Sequence, residues 1–66
     1  MRIRLNGQER EFNSLTTISD LLKELNIEPR SVAIEVNKVI IKKGEYDRYE
    51  LKDNDSIEIV SFVGGG

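Results

Sequence analysis

One apolar stripe limits what this chain can become. Ile18, Leu21, Leu22 and Leu25 fall at i, i+3, i+4 and i+7, which places them on one side of a helix. Lys23 and Glu24 point the other way. Thr17 offers a capping hydroxyl and Asp20 a carboxylate three residues later, with Thr16 as the competing cap. Pro29 stops the helix by residue 28, and Asn26 is a plausible exit residue. So short a helix does not survive alone in water. In a chain of 66 residues its stripe must cover a sheet, within one small domain. Scaffolds of this size reach a stability of roughly 3–5 kcal/mol.

The rest of the chain supplies that sheet. Residues 1–5 alternate, with Ile3 and Leu5 toward the core and Arg2 and Arg4 toward solvent. Asn6-Gly7 is a strong hairpin signal, since both residues tolerate the positive φ of a type I′ turn. Residues 8–12 return as a second strand with Phe12 as its core candidate. After the helix, Val32, Ile34 and Val36 alternate with Ala33, Glu35 and Asn37, which predicts a central strand. Val39-Ile40-Ile41 is a brief strand, and Lys42-Lys43-Gly44 a break. Tyr46, Tyr49 and Leu51 are spaced like one irregular helical turn and a return, the tyrosines packing at the boundary with wet hydroxyls. Lys52-Asp53-Asn54-Asp55 is a turn cluster, and a last strand runs from about Ser56 to Phe62.

Hairpin, helix and further strands in this order predict an α+β fold: a mixed sheet of four to five strands with one main helix across it. A ubiquitin-like β-grasp satisfies the pattern, with the first and last strands adjacent and parallel at its centre. Residues 1–63 are expected to form the domain and residues 64–66 a flexible tail, because three consecutive glycines have the most conformational freedom to lose on ordering.

Composition removes most chemistry. The chain has no cysteine, histidine or tryptophan. It therefore has no thiolate, no imidazole proton shuttle and none of the commonest zinc ligands. Gly64-Gly65-Gly66 is no phosphate loop, since no helix or lysine follows it. Asp53 and Asp55 belong to a turn rather than to a pair of catalytic carboxylates. The net charge is −2, with acid concentrated in Glu45, Asp47, Glu50, Asp53, Asp55 and Glu58. That ribbon repels a phosphate backbone and steers a basic protein partner, or is an ordinary solvated face. No aromatic-interleaved basic patch speaks for nucleic acid, and no apolar run for a signal peptide or membrane span. A cytoplasmic protein is the default expectation.

What remains is the carboxylate of Gly66. With a reference pKa of about 3.3–3.7 it is ionised at neutral pH and a poor electrophile, so another enzyme must activate it. A glycine end suits that use, because a narrow active-site entrance admits backbone without side chains. The alternative is a frayed glycine end without function.

The segment Ile57-Glu58-Ile59-Val60-Ser61-Phe62-Val63-Gly64-Gly65-Gly66 resembles the C-terminus of the ThiS family, the sulfur carriers of thiamine thiazole synthesis. Ala33-Ile34-Glu35-Val36-Asn37 and Leu51-Lys52-Asp53-Asn54-Asp55-Ser56-Ile57 resemble it too, with Asn54 where the family often has glycine. The resemblance implies a β-grasp fold and no enzymatic activity of the chain's own. A ThiF-like adenylating enzyme would attach AMP to Gly66, and a persulfide from a cysteine-desulfurase route would displace it. A ThiG-like thiazole synthase would then take sulfur from the resulting thiocarboxylate. No cofactor is bound in this scheme; AMP and sulfur are transient modifications of Gly66. Gly64 and Gly65 would enter the partners' active sites, with Glu58, Val60, Phe62 and Val63 as docking residues. Phe62 is either an anchor for a partner groove or a cover for the open end of the sheet's own core. Sibling carriers, namely the small subunit of molybdopterin synthase and tRNA-thiolation carriers, also end in Gly-Gly, as do ubiquitin-like modifiers that form isopeptides.

Overall fold

The computed structural model describes residues 1–62. Five strands and one helix follow in the order β1 (Arg2–Leu5), β2 (Gln8–Glu11), α1 (Ile18–Leu25), β3 (Val32–Val36), β4 (Val39–Ile41) and β5 (Ser56–Ser61). Short 3₁₀ turns at Pro29–Ser31 and Lys43–Glu45 lead into β3 and out of β4. The sheet order is β2-β1-β5-β3-β4. Only β1 and β5 run parallel, at the centre; the other pairs are antiparallel. Fold class and central placement therefore agree with the sequence pattern.

The helix is bounded as its sequence demands. Thr17 is the N-cap: its hydroxyl accepts the Asp20 amide at 3.2 Å. The Asp20 carboxylate accepts the amides of both Thr16 and Thr17 at 3.0 Å, so the two threonines share the capping work. The next free amides, on Ile18 and Ser19, donate to the carbonyls of Tyr49 and Tyr46. The helix N-terminus is thereby sealed by the chain's own backbone, which leaves no cradle for an anion. Asn26 closes the other end in the left-handed conformation, φ 62°.

Ile18, Leu21 and Leu22 of α1 are fully buried against Ile3, Leu5, Val32, Ile34, Val36, Ile41 and Ile57 of the sheet. At ~25 cal/mol per Å² of apolar surface, each such side chain contributes about 1.5–3 kcal/mol relative to exposure. Phe12, Leu15, Tyr46 and Leu51 seal the rim of this core.

Three local readings are corrected. Tyr46 is buried, not a boundary residue with a wet hydroxyl. The 3₁₀ turn at Lys43–Glu45 swings it under the sheet, and burial pushes its phenol pKa up, partly opposed by a hydrogen bond with the Ile34 backbone. Asn37 is not in the third strand. It and Lys38 form a two-residue turn, at φ 51° and 72°, that joins β3 to β4. The last strand ends at Ser61, and the Phe62 amide still donates to the Ser31 carbonyl at 2.9 Å.

Candidate docking face beside the chain end

The helix covers one face of the sheet and leaves the other open. Strand alternation fixes which side chains lie there. On β5, Ile57 points into the core, so Glu58 and Val60 point out. Their cross-strand partners on β3 are Glu35 and Ala33, and Glu35 in turn faces Ile40 on β4. Ile40 is 72% exposed, Val60 53% and Phe62 50%. Exposed apolar side chains scattered singly need no explanation, but Ile40 on β4 and Val60 on β5 share the open face, with β3 between them, and Phe62 follows directly on β5.

Phe62 is not among the buried core residues. The Lys43 ammonium lies over its ring, 5.1 Å from the centroid. Such an exposed cation–π contact contributes about 0.5–1 kcal/mol and holds the ring at the end of β5.

Glu35 and Glu58 are directly opposed on the open face. Like charges so placed destabilise a sheet. Among the described residues neither carboxylate has an ion-pair partner within 4.0 Å. The nearest basic strand is no help: Arg4 donates to the Gly7 carbonyl at 3.1 Å. Of the rest of the acidic ribbon, Glu50 is exposed with no side-chain partner among the described residues, and the others are committed to hydrogen bonds or an ion pair within the fold. Asp53 accepts the Arg2 amide, Asp55 accepts the Lys52 amide and the Asn37 carboxamide, Glu45 pairs with Arg48, and Asp47 accepts the Ser19 hydroxyl. The turn reading of Asp53 and Asp55 holds, and Glu58 is the ribbon's contribution to the open face.

Of the expected site residues, Glu58, Val60 and Phe62 thus share one surface at the end of the chain's last strand. Val63, Gly64, Gly65 and Gly66 lie outside the described residues. Ala33, Glu35 and Ile40 join that surface without having been singled out in the sequence. Their signal was the alternation of β3 carried across the Asn37-Lys38 turn, which puts Glu35 and Ile40 on one face. No group of three or more histidine, cysteine, aspartate or glutamate residues among the described residues could hold a metal ion. No helix there is long and apolar enough to cross a membrane.

The geometry is that of a body with a bare face and a strand leading off it, and comparison with known proteins says which body. A model of the ThiS family matches residues 3–66. The chain belongs to the ThiS family. The sulfur carrier protein ThiS of Bacillus subtilis (strain 168) is 48% identical over 65 residues, which cover 97% of this chain and 98% of that protein. The crystal structure of the thiamine biosynthesis protein ThiS from Geobacter metallireducens superimposes with a TM-score of 0.86 at 26% identity, each chain fully covered. A thiazole synthase of Paramagnetospirillum magneticum is 42% identical over 66 residues, and one of Magnetococcus marinus 41%. This chain spans only 20% of the length of those two relatives.

Proposed function

We propose that the carboxylate of Gly66 carries the sulfur, and that the open face docks the enzymes that load and unload it. The supporting observation is the concentration of Val60, Phe62, Ile40 and the opposed Glu35 and Glu58 on the surface from which the last strand leads to the glycines. In this reading Val63 also contacts the partners, and Gly64 and Gly65 thread a partner's active-site entrance, which admits backbone only.

Loading proceeds in balanced steps. The Gly66 carboxylate attacks the α-phosphorus of ATP in a ThiF-like adenylating enzyme, and pyrophosphate leaves. The terminal sulfur of a persulfide, derived from cysteine by a desulfurase, attacks the acyl carbon and expels AMP. A thiol then cleaves the sulfur–sulfur bond and leaves the thiocarboxylate on Gly66, with the two thiol sulfurs oxidised to a disulfide. The carrier supplies the acyl group and the docking energy. The enzymes supply charge stabilisation for the departing phosphates. A supply of ATP is available in the cytoplasm, which fits the cytoplasmic expectation.

The acceptor is a ThiG-like thiazole synthase. Two thiazole synthases contain a segment that matches this whole chain, so a segment like this chain occurs there within a thiazole synthase polypeptide. This favours the thiazole pathway over the molybdopterin and tRNA-thiolation siblings.

Pyrophosphate exchange tests the reading. With an adenylating enzyme of this pathway, the chain supports ATP–pyrophosphate exchange, and deletion of Gly66 abolishes it. Val60→Glu raises the carrier concentration needed for half-maximal exchange and leaves the far-UV circular dichroism unchanged. Exchange that survives the loss of Gly66 contradicts the assignment.

A further inference from the structure

β5 is held on both sides by residues that do not belong to strands. The parallel β1–β5 ladder is short, because β1 ends at Leu5 where the hairpin turns away. Its last backbone bond runs from the Asn6 amide to the Ile57 carbonyl, 2.9 Å. In a longer β1 the Asn6 carbonyl and the backbone amide two residues on would pair with Ile59. The Asn6 side chain takes that position. Its carboxamide oxygen accepts the Ile59 amide at 2.8 Å, and its nitrogen donates to the Ile59 carbonyl at 3.3 Å. One carboxamide thus reproduces both bonds of a missing ladder rung.

A left-handed backbone at Asn6, φ 49°, aims the side chain there, and the turn alone does not explain the residue. Glycine meets the same φ at lower cost, as Gly7 does beside it at φ 83°. Asn37 does the matching work from the other hairpin turn: its carboxamide oxygen accepts the Ser56 amide at 2.9 Å. Asn37 holds the start of β5, and Asn6 holds it three residues further on. Past Ile59, among the described residues, only the β3 side grips the strand, through the pairing of Ser61 with Val32 and the bond from Phe62 to Ser31.

We propose that Asn6 is a positioning residue for sulfur transfer: its carboxamide holds the outer half of β5 in the sheet at Ile59, two residues before the strand ends, and so sets the direction in which the chain leaves the body. The proposal rests on the Gly66 reading above. A docked body delivers its chain end productively only if the end leaves at a set place and angle. A strand gripped on one side twists and frays, and that error is passed to the group at its tip. Among the described residues the Asn6 side chain bonds the backbone of Ile59 and no side chain of the open face, so its loss leaves docking intact and slows the chemistry.

The test uses Asn6→Gly, which keeps the left-handed turn and removes both side-chain bonds. Asn54→Gly is the matched control, since Asn54 is also left-handed, at φ 72°, and its side chain bonds nothing on β5 among the described residues. Asn6→Asp keeps the acceptor and loses the donor, and serves as an intermediate variant. Three quantities are read on the intact chain: amide exchange at Ile59, affinity for the adenylating enzyme, and the rate of adenylation at saturating carrier. Asn6→Gly speeds exchange at Ile59, leaves affinity within about twofold of wild type, and lowers the saturated rate roughly tenfold or more, where a full ~1 Å misplacement costs about a hundredfold. Asn6→Asp lies between, and Asn54→Gly matches wild type in all three. Unchanged exchange at Ile59, or a saturated rate for Asn6→Gly equal to that of Asn54→Gly, overturns the proposal while wild-type activity leaves the carrier reading standing. A wild-type chain that is never adenylated overturns both.

Discussion

Single residues decide where this chain's helix begins, and one of them makes that decision sensitive to pH. The backbone amides of Thr17 and Thr16 hold the Asp20 carboxyl below its usual pKa. A lowered folded-state value means that ionised Asp20 stabilises the fold. That contribution is complete above the unfolded value near 3.9 and is lost as pH falls through the lower folded value. Asp20→Asn keeps an acceptor and removes the charge. Thermal unfolding should show the variant less stable than wild type at neutral pH, with the gap closing below about pH 4. A gap that stays constant into acid would mean that the charge plays no part. This residue was legible because a threonine followed three positions later by a carboxylate has a known geometric consequence. Tyr46 and Leu15 were not. Each is an isolated apolar side chain in a polar stretch, and only the path of the backbone around it carries it under the sheet. Asn6 was legible as a turn former, but its second role needs a partner 53 positions away.

Strands supply the functional asymmetry. Once Val32, Ile34 and Val36 are buried by the helix, Glu35 is committed to the open face, and the register of β5 puts Glu58 opposite it. The fold carries this unfavourable pair without compensation from any basic side chain among the described residues, as expected of a surface whose counter-charge arrives with a partner. Glu35→Gln should therefore stabilise the isolated chain by about 0.2–1 kcal/mol at low salt. The gain should shrink as salt screens the repulsion. The same substitution should slow association with the adenylating enzyme. Denaturant midpoints and stopped-flow association rates check the two halves, and a variant that is both less stable and faster to associate contradicts the account. The alternation of β3 made the outward direction of Glu35 legible. The Glu58 pairing was not, because register across strands 23 residues apart depends on the whole sheet.

At the scale of the molecule, the pattern of elements was enough for the architecture. One helix stripe, one Asn-Gly hairpin and three further strands in 66 residues leave few ways to cover an apolar sheet face, and the central parallel pairing of β1 with β5 is the one adopted. The candidate site was only half legible. Val60 and Phe62 follow from the last strand alone, whereas Ile40 and Ala33 reach the same surface only once the sheet is assembled. The three levels converge on one arrangement: a sealed helix end, a bare sheet face and a central strand held from both sides, all upstream of three glycines. The most direct test of its purpose is the intact mass of the untagged chain, purified from cells that make its natural partners. A sulfur carrier yields a fraction heavier by the difference between one sulfur and one oxygen atom, located at Gly66 by fragmentation and lost on alkylation or on removal of Gly66. A chain of unmodified mass only, or a Gly66 joined to a lysine, contradicts the account.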